Sequence, residues 1–197
     1  MTAAVADPDP AALRRHFRQR RLALSAEQRA AAASAVVERL EALLAALAGP
    51  IGSYMATGSE IDPAPWMRRA RARGAELWLP VVQTAGAALV FRPWSDDPDH
   101  WQRNTHGIAE PRLGPSLPAA ALSALVIPLL AFDVHGTRLG AGGGYYDRSL
   151  ADCPGPHPLR VGLAFDCQRA GQLPRRPWDA PLDHIVTETE SLTCPRS

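Results

Sequence analysis

Apolar and polar positions along this chain follow two periods, and they alternate between them. Leu13 and Phe17 lie on one face of a helical pattern, and Arg14, Arg18 and Arg21 lie on another, so a helix is expected from near Pro10, a residue tolerated in a first turn. Ser25 followed by Gln28 predicts a capping box for a second helix. Its apolar stripe is Val36, Val37, Leu40, Leu43, Leu44 and Leu47, and Gly49-Pro50 should stop it. Ile51 to Met55 reads as a short strand. Asp62 is a plausible N-cap for a third helix through Trp66, Met67 and Arg73, ended by Gly74. Ala75–Val82 and Ala87–Phe91, joined by the turn QTAG, predict a hairpin. Leu125–Phe132 is a continuous apolar run and reads as a buried strand, Tyr145–Asp152 as a helix, and Leu159–Phe165 as a strand by alternation. A last short strand is expected at His184–Thr189, with a polar tail from Glu190. This order predicts an α/β layered fold in which helices cover a mixed sheet.

Two regions stand outside the periods. Residues 1–9 read as a frayed end. Residues 93–118 are proline-rich and read as irregular; a loop this long in a compact domain is usually functional or disordered, and Trp94 and Trp101 argue against disorder.

Composition narrows the function classes. With 197 residues the chain can bury one substantial core, and a single domain over 1–197 is expected. The net charge of +1 gives no general argument for nucleic acid or membrane partners. All 21 basic residues are arginine, so no lysine can serve as phosphate ligand or Schiff base. Cys153, Cys167 and Cys194 are widely spaced, which opposes a disulfide framework and a zinc site and suggests a reducing compartment. No charged n-region precedes an apolar h-region, and no apolar stretch approaches 18 residues, so a soluble cytoplasmic protein is expected.

The chemistry concentrates at 125–148, LVIPLLAFDVHGTRLGAGGGYYDR. Gly140, Gly142, Gly143 and Gly144 can expose backbone N–H groups and adopt positive φ, and converging N–H groups form an anion cradle. A helix starting at Tyr145 would add its dipole. No Gly-Lys-Ser/Thr follows, so this is not a Walker A loop. Tyr145 stands where a dinucleotide fingerprint wants glycine or alanine. Arg138 and Arg148 bracket the loop, and Asp147 is placed where a carboxylate could hold magnesium on phosphates. A tight turn beside a strand remains the plain alternative on glycine content alone.

The stretch from Gly136 to Arg148, GTRLGAGGGYYDR, closely resembles the signature of 5-formyltetrahydrofolate cyclo-ligases, also called 5,10-methenyltetrahydrofolate synthetases. Leu13-Arg14 … Arg20-Arg21 … Leu24-Ser25 is similar to that family's opening helix, Tyr54 to Asp62 to its Y-x5-E-I-D segment, Gly107 to Pro111 to its GIxEP segment, and Asp179 to Glu188 to its closing segment. The resemblance implies a three-layer α/β sandwich with a central mixed, mostly parallel sheet flanked by helices (NagB/RpiA/CoA-transferase-like). It implies ATP- and Mg2+-dependent cyclisation of 5-formyltetrahydrofolate to 5,10-methenyltetrahydrofolate, with release of ADP and phosphate, through phosphorylation of the formyl oxygen and attack by N10.

Residue roles follow from the same resemblance. Arg138, Leu139, Gly140, Ala141, Gly142, Gly143, Gly144, Tyr145 and Tyr146 would form the ATP loop, and Arg14 would approach the phosphates. Ala141 to Gly144 and Tyr145 would also face the folate, with Glu60 on the reduced pterin and Met55 lining its pocket. Asp147 and Asp179 would hold Mg2+, and Arg138, Tyr145 and Arg148 would be catalytic. Phe91, Trp94 and Trp101 are candidates for ring stacking or for packing. A monomer with no nucleic acid or membrane partner is expected. The chain departs from the family pattern at Pro10, where members commonly have lysine, at Ala141, where many carry a basic or aromatic residue, and at Trp178, where histidine is frequent. Pro10 motivates the alternative reading: a catalytically impaired paralogue that binds folate or nucleotide as a binding or regulatory module.

Overall fold

Residues 9–153 and 155–195 are described by a computed structural model; most of the expected frayed end, residues 1–8, lies outside the described residues. Helix α1 spans Pro10–Leu22, and the Asp9 carboxylate caps it by accepting the Ala11 and Ala12 N–H groups at 2.9 and 3.2 Å. Helix α2 spans Ala26–Leu44 and carries the expected capping box. The Gln28 N–H donates to Ser25 Oγ at 3.2 Å and the Ser25 N–H to Gln28 Oε1 at 2.8 Å. A cap of this kind stabilises a helix by about 1 kcal/mol. The helix ends before Gly49-Pro50. The Leu47 N–H closes a tighter turn onto Leu44 O, and the Ala48 carbonyl is taken by Ser123 Oγ at 2.6 Å.

Strand β1 is Ile51–Gly52, shorter than expected. Past it the chain bends so that the buried Tyr54 hydroxyl donates to Ile61 O at 2.7 Å. Helix α3 is Ala64–Ala72; Pro63 occupies the N-cap position, and Asp62 Oδ1 accepts the Ala64 N–H from one residue further out. Strands β2 (Leu77–Val81) and β3 (Val90–Pro93) form the expected antiparallel pair.

The region 93–118 is not irregular. It contains a hairpin of β4 (Trp101–Arg103) and β5 (Ala109–Pro111), and β6 (Leu117–Pro118) pairs with β3. The Glu110 side chain holds it. Only 2% exposed, it accepts Gln102 Nε2 at 2.9 Å, Asn104 Nδ2 at 3.1 Å and the Val82 N–H at 3.0 Å. A buried carboxylate needs such donors to offset its desolvation.

The apolar run 125–132 divides into β7 (Ala124–Pro128) and β8 (Ala131–Phe132). Between them Leu129 O and Leu130 O accept Gln168 Nε2, and the Leu130 N–H bonds Leu139 O. Strand β9 (Arg138–Leu139) returns antiparallel to β8, and helix α4 follows at Tyr145–Leu150. Strands β10 (Leu159–Leu163), β11 (His184–Val186) and β12 (Ser191–Thr193) complete the chain, so part of the expected polar tail is an edge strand.

The main sheet has the order β12-β11-β10-β7-β1-β2-β3-β6. The five strands from β11 to β2 run parallel, and the outer pairings are antiparallel. Period-two alternation sorts the side chains onto two faces. Ile51, Leu79, Val126, Val161 and Val186 meet α2 and α3 on one side. Trp78, Leu125, Ile127 and Ile185 meet Leu150 of α4 and surrounding loop residues on the other. The second layer is thin, because α4 has only six residues. Phe91 is fully buried, and Trp94 and Trp101 pack against the first core, so these aromatics serve packing.

From β1 the chain crosses through α3 to β2, on one side in the sheet. From β7 it crosses through α4 to β10, on the other side. The β1–β7 boundary is therefore a topological switch point, where the loops leaving two parallel strands part and open a crevice at their carboxyl ends.

Candidate functional site

A cavity of about 650 Å³ opens at that crevice. Tyr54, Met55 and Glu60 come from the loop after β1, Pro128 and Leu129 from the end of β7, and Pro80 and Val82 from the end of β2. Arg138, Gly140, Ala141, Gly143, Gly144, Tyr145, Tyr146 and Asp147 line the cavity from the glycine loop and the start of α4. The structure thus brings Met55 and Glu60 together with most of the glycine loop, as the spacing in sequence could not show.

The glycine loop has the conformation its composition permits. Gly144 has φ +66° and Gly142 φ +108°, regions that L side chains rarely adopt. A Cβ on Gly144 would stand 2.7 Å from an Arg148 guanidinium nitrogen. That nitrogen's partner, Nη2, donates to Gly143 O at 2.6 Å, and the guanidinium lies 5.3 Å from the centre of the Tyr145 ring. Arg14 holds the loop from α1: its Nε donates to Gly140 O at 3.0 Å. The expected dipole contribution is modest, because α4 is barely two turns long.

Arg138 is the buried charge of the site. Its side chain is 4% exposed and pairs with Asp147 Oδ1 at 2.5 Å, and it also donates to Ala180 O. Burial lowers its pKa, an effect opposed by Asp147 and then by Asp179. Asp147 Oδ1 also accepts the Ala180 N–H at 3.3 Å. Asp179 Oδ2 accepts the Arg176 N–H at 2.8 Å. The segment carrying Asp179 is therefore fastened to Arg138 and Asp147 through its neighbour Ala180. Among the described residues no cluster of three or more metal-ligating side chains occurs. Two carboxylates with oxygen donors fit a hard ion that takes its other ligands from phosphates and water.

Glu60 Oε2 accepts the Thr57 N–H at 3.0 Å and the Thr57 hydroxyl at 3.2 Å, which fixes the carboxylate toward the cavity. Burial, reinforced by the negative charge of Glu60, raises the pKa of both Tyr54 and Tyr146. Both phenols are therefore neutral donors at ordinary pH.

Not every expected residue lines the cavity. Leu139 packs in a small core with Phe17 and is absent from the cavity lining. Arg14, Gly142, Arg148 and Asp179 are not among the residues that line it; Arg14 and Arg148 instead bond the loop carbonyls of Gly140 and Gly143. Conversely, the cavity is lined by Ser59, Asn104 and His106, which the sequence does not single out as site residues, and by Arg18 and Arg21 of the helical arginine stripe. Arg21 is buried, with Nε donating to Ser59 Oγ at 3.0 Å beside Glu60. His106 Nε2 lies 3.1 Å from the Tyr145 hydroxyl and brings the β4–β5 hairpin over the glycine loop. The one available signal for His106 was its place beside the Gly107–Pro111 segment.

Fold and site together define an α/β protein whose cavity opens at a switch point of a mostly parallel sheet, lined by a glycine loop and by the loop that carries Glu60. The sequence profile of the 5-formyltetrahydrofolate cyclo-ligase family matches residues 7–188. The 5-formyltetrahydrofolate cyclo-ligase of Escherichia coli K12 is 33% identical over 181 residues, covering 88% of this chain and 97% of its own. That of Haemophilus influenzae is 36% identical over 140 residues, covering 69% and 74%. The NMR structure of Aquifex aeolicus 5,10-methenyltetrahydrofolate synthetase superposes with a TM-score of 0.81 at 30% identity, covering 95% of this chain and 94% of that one. The chain belongs to the 5-formyltetrahydrofolate cyclo-ligase family.

Proposed function

We propose that this chain is a single catalytic domain that converts 5-formyltetrahydrofolate, with ATP and Mg2+, to 5,10-methenyltetrahydrofolate, ADP and phosphate. The observation that carries the reading is that one cavity is lined both by the glycine loop with the Arg138–Asp147 pair and by Glu60. A glycine loop suited to phosphate and a carboxylate suited to the pterin edge therefore share one chamber.

The residues present fit the groups that the reaction requires. Gly144, lacking a Cβ, lets the Arg148 guanidinium sit against the loop, and the loop's N–H groups and Arg14 are suited to a triphosphate. Asp147 and Asp179 would hold magnesium, which when bound neutralises phosphate charge. Glu60, held by Thr57, accepts N–H groups from the aminopyrimidinone edge of the pterin. The formyl oxygen then faces the glycine loop. Its attack on the γ-phosphorus releases ADP and makes that oxygen a good leaving group. N10 attacks the formyl carbon, a C–N bond forms, the C–O bond breaks, and phosphate departs with the proton that N10 gives up. Arg138 and Arg148 balance the negative charge that collects on the transferring oxygens. Orientation within the chamber supplies much of the rate, since both nitrogens belong to one molecule.

The test is growth of methenyl absorbance from 5-formyltetrahydrofolate with purified protein. Turnover that requires ATP and stops on chelation of Mg2+ supports the reading; its absence in folded protein with saturating ATP overturns it. Folate binding without ADP release would instead establish the impaired paralogue. The reading includes a cytoplasmic monomer without nucleic acid or membrane partners, and sedimentation of the pure protein checks its mass. No helix among the described residues is long and apolar enough to cross a membrane.

A further inference from the structure

Three arginines line the cavity, and two are committed. Arg138 is bound to Asp147 and Ala180, and Arg21 to Ser59 Oγ at 3.0 Å and Leu129 O at 3.4 Å. Arg18 is exposed and makes no hydrogen bond or ion pair among the described residues. Its own helix, PAALRRHFRQRRL, contains no acidic residue to pair with it. Its charge instead opposes that of Arg21, one turn away. Such like-charge proximity is unfavourable, and an anion at Arg18 relieves it.

The neighbour of Arg18 narrows the anion. Leu22, four residues on, is 59% exposed and lines the same cavity. An apolar platform next to a free guanidinium does not suit a triphosphate, which is charged along its whole length. It suits a flat apolar group that ends in carboxylates. Resting on the reading of the preceding subsection, we propose that Arg18 and Leu22 form the subsite for the aminobenzoyl-glutamate end of the folate, with Leu22 under the ring and Arg18 on the tail carboxylates. A carboxylate matches the guanidinium fork, and further glutamates joined to the tail would extend along a helix face that already carries Arg14 and Arg15.

The experiment compares wild type and Arg18→Ala with two substrates, 5-formyltetrahydrofolate and 5-formyltetrahydropteroate, which lacks the glutamate. Arg18 is exposed and alanine favours helix, so the variant folds. The proposal expects the KM for 5-formyltetrahydrofolate to rise roughly fivefold in Arg18→Ala, the scale of an exposed charged pair. It also expects wild type and variant to show one common KM with the pteroate. An equal loss with both substrates, or no loss with either, overturns it. A rise confined to the KM for ATP also overturns it and makes Arg18 a phosphate ligand. Calorimetric titration of both compounds gives the same comparison without turnover, so an inactive wild type would count against the proposed reaction while the subsite is still decided by binding.

Discussion

Arg138 and Asp147 form a 2.5 Å ion pair at the cavity wall, with the arginine side chain 4% exposed and the carboxylate 30% exposed. The pair is asymmetric. The cation is almost wholly desolvated, while the carboxylate keeps an oxygen toward the chamber. Asp147→Asn keeps a similar shape but leaves Arg138 without its counter-charge. Removing one member of a buried pair costs about 3 kcal/mol, somewhat less where one partner meets water. We expect loss of turnover by about a hundredfold or more, with a lowered urea midpoint, measured on the same preparation.

Gly144→Ala tests the loop. Its φ of +66° costs an L residue about 1 kcal/mol, and the new methyl would displace the Arg148 side chain from its seat against Gly143 O. ATP affinity should fall several-fold while 5-formyltetrahydrofolate affinity changes less. Separate titrations of the two ligands read this directly, and an unaltered nucleotide titration would count against the cradle.

Gly162→Ala is the contrasting case. Gly162 lies in β10, where a Cβ would come within 2.5 Å of one Leu182 methyl and 2.9 Å of a Leu129 methyl. Overpacking of this kind costs about 1–3 kcal/mol. Thermal or urea unfolding should show the loss. Leu129 also lines the cavity, so any effect on KM should be smaller than the effect on stability.

Alkaline pH should weaken the fold. Burial, aided by Asp133 and Asp183, pushes the Cys194 thiol up to about 11. Its folded pKa is thus above the ordinary thiol value of about 8.5. The unfolded chain loses the proton first, so the contribution is complete below about pH 8.5 and declines as pH rises toward 11. Tyr54 and Tyr146 are shifted in the same direction at higher pH. Urea midpoints should fall across this window, and Cys194→Ala should flatten the earlier part of the decline.

Local patterns made much of the fold legible. The Ser25–Gln28 box, the β2–β3 hairpin and the alternation at Leu159 to Leu163 depend on neighbours within a few residues, and they stand where their spacing puts them. The β4–β5 hairpin was hidden because its strands have three residues each and are secured by Glu110 through Gln102, Asn104 and the distant Val82. The tight positive-φ turn of the glycine loop was legible from its composition, and its resemblance to one family pointed to Glu60 and Asp179. The role of Arg21 as the clamp on Ser59 was not legible, since a buried arginine and a solvated one look alike in a helical stripe.

The bond from Arg14 to Gly140 spans 126 positions, and that from Arg138 to Ala180 spans 42. A ribosome delivers these partners in order, and domains generally fold as units while synthesis proceeds. The first helix must therefore wait for more than a hundred further residues before the loop it steadies exists. That loop in turn waits for Ala180 to satisfy its buried arginine. The chamber is therefore complete only once Ala180 has been made, and a nascent chain stopped before it carries helices and strands around an unfinished cavity.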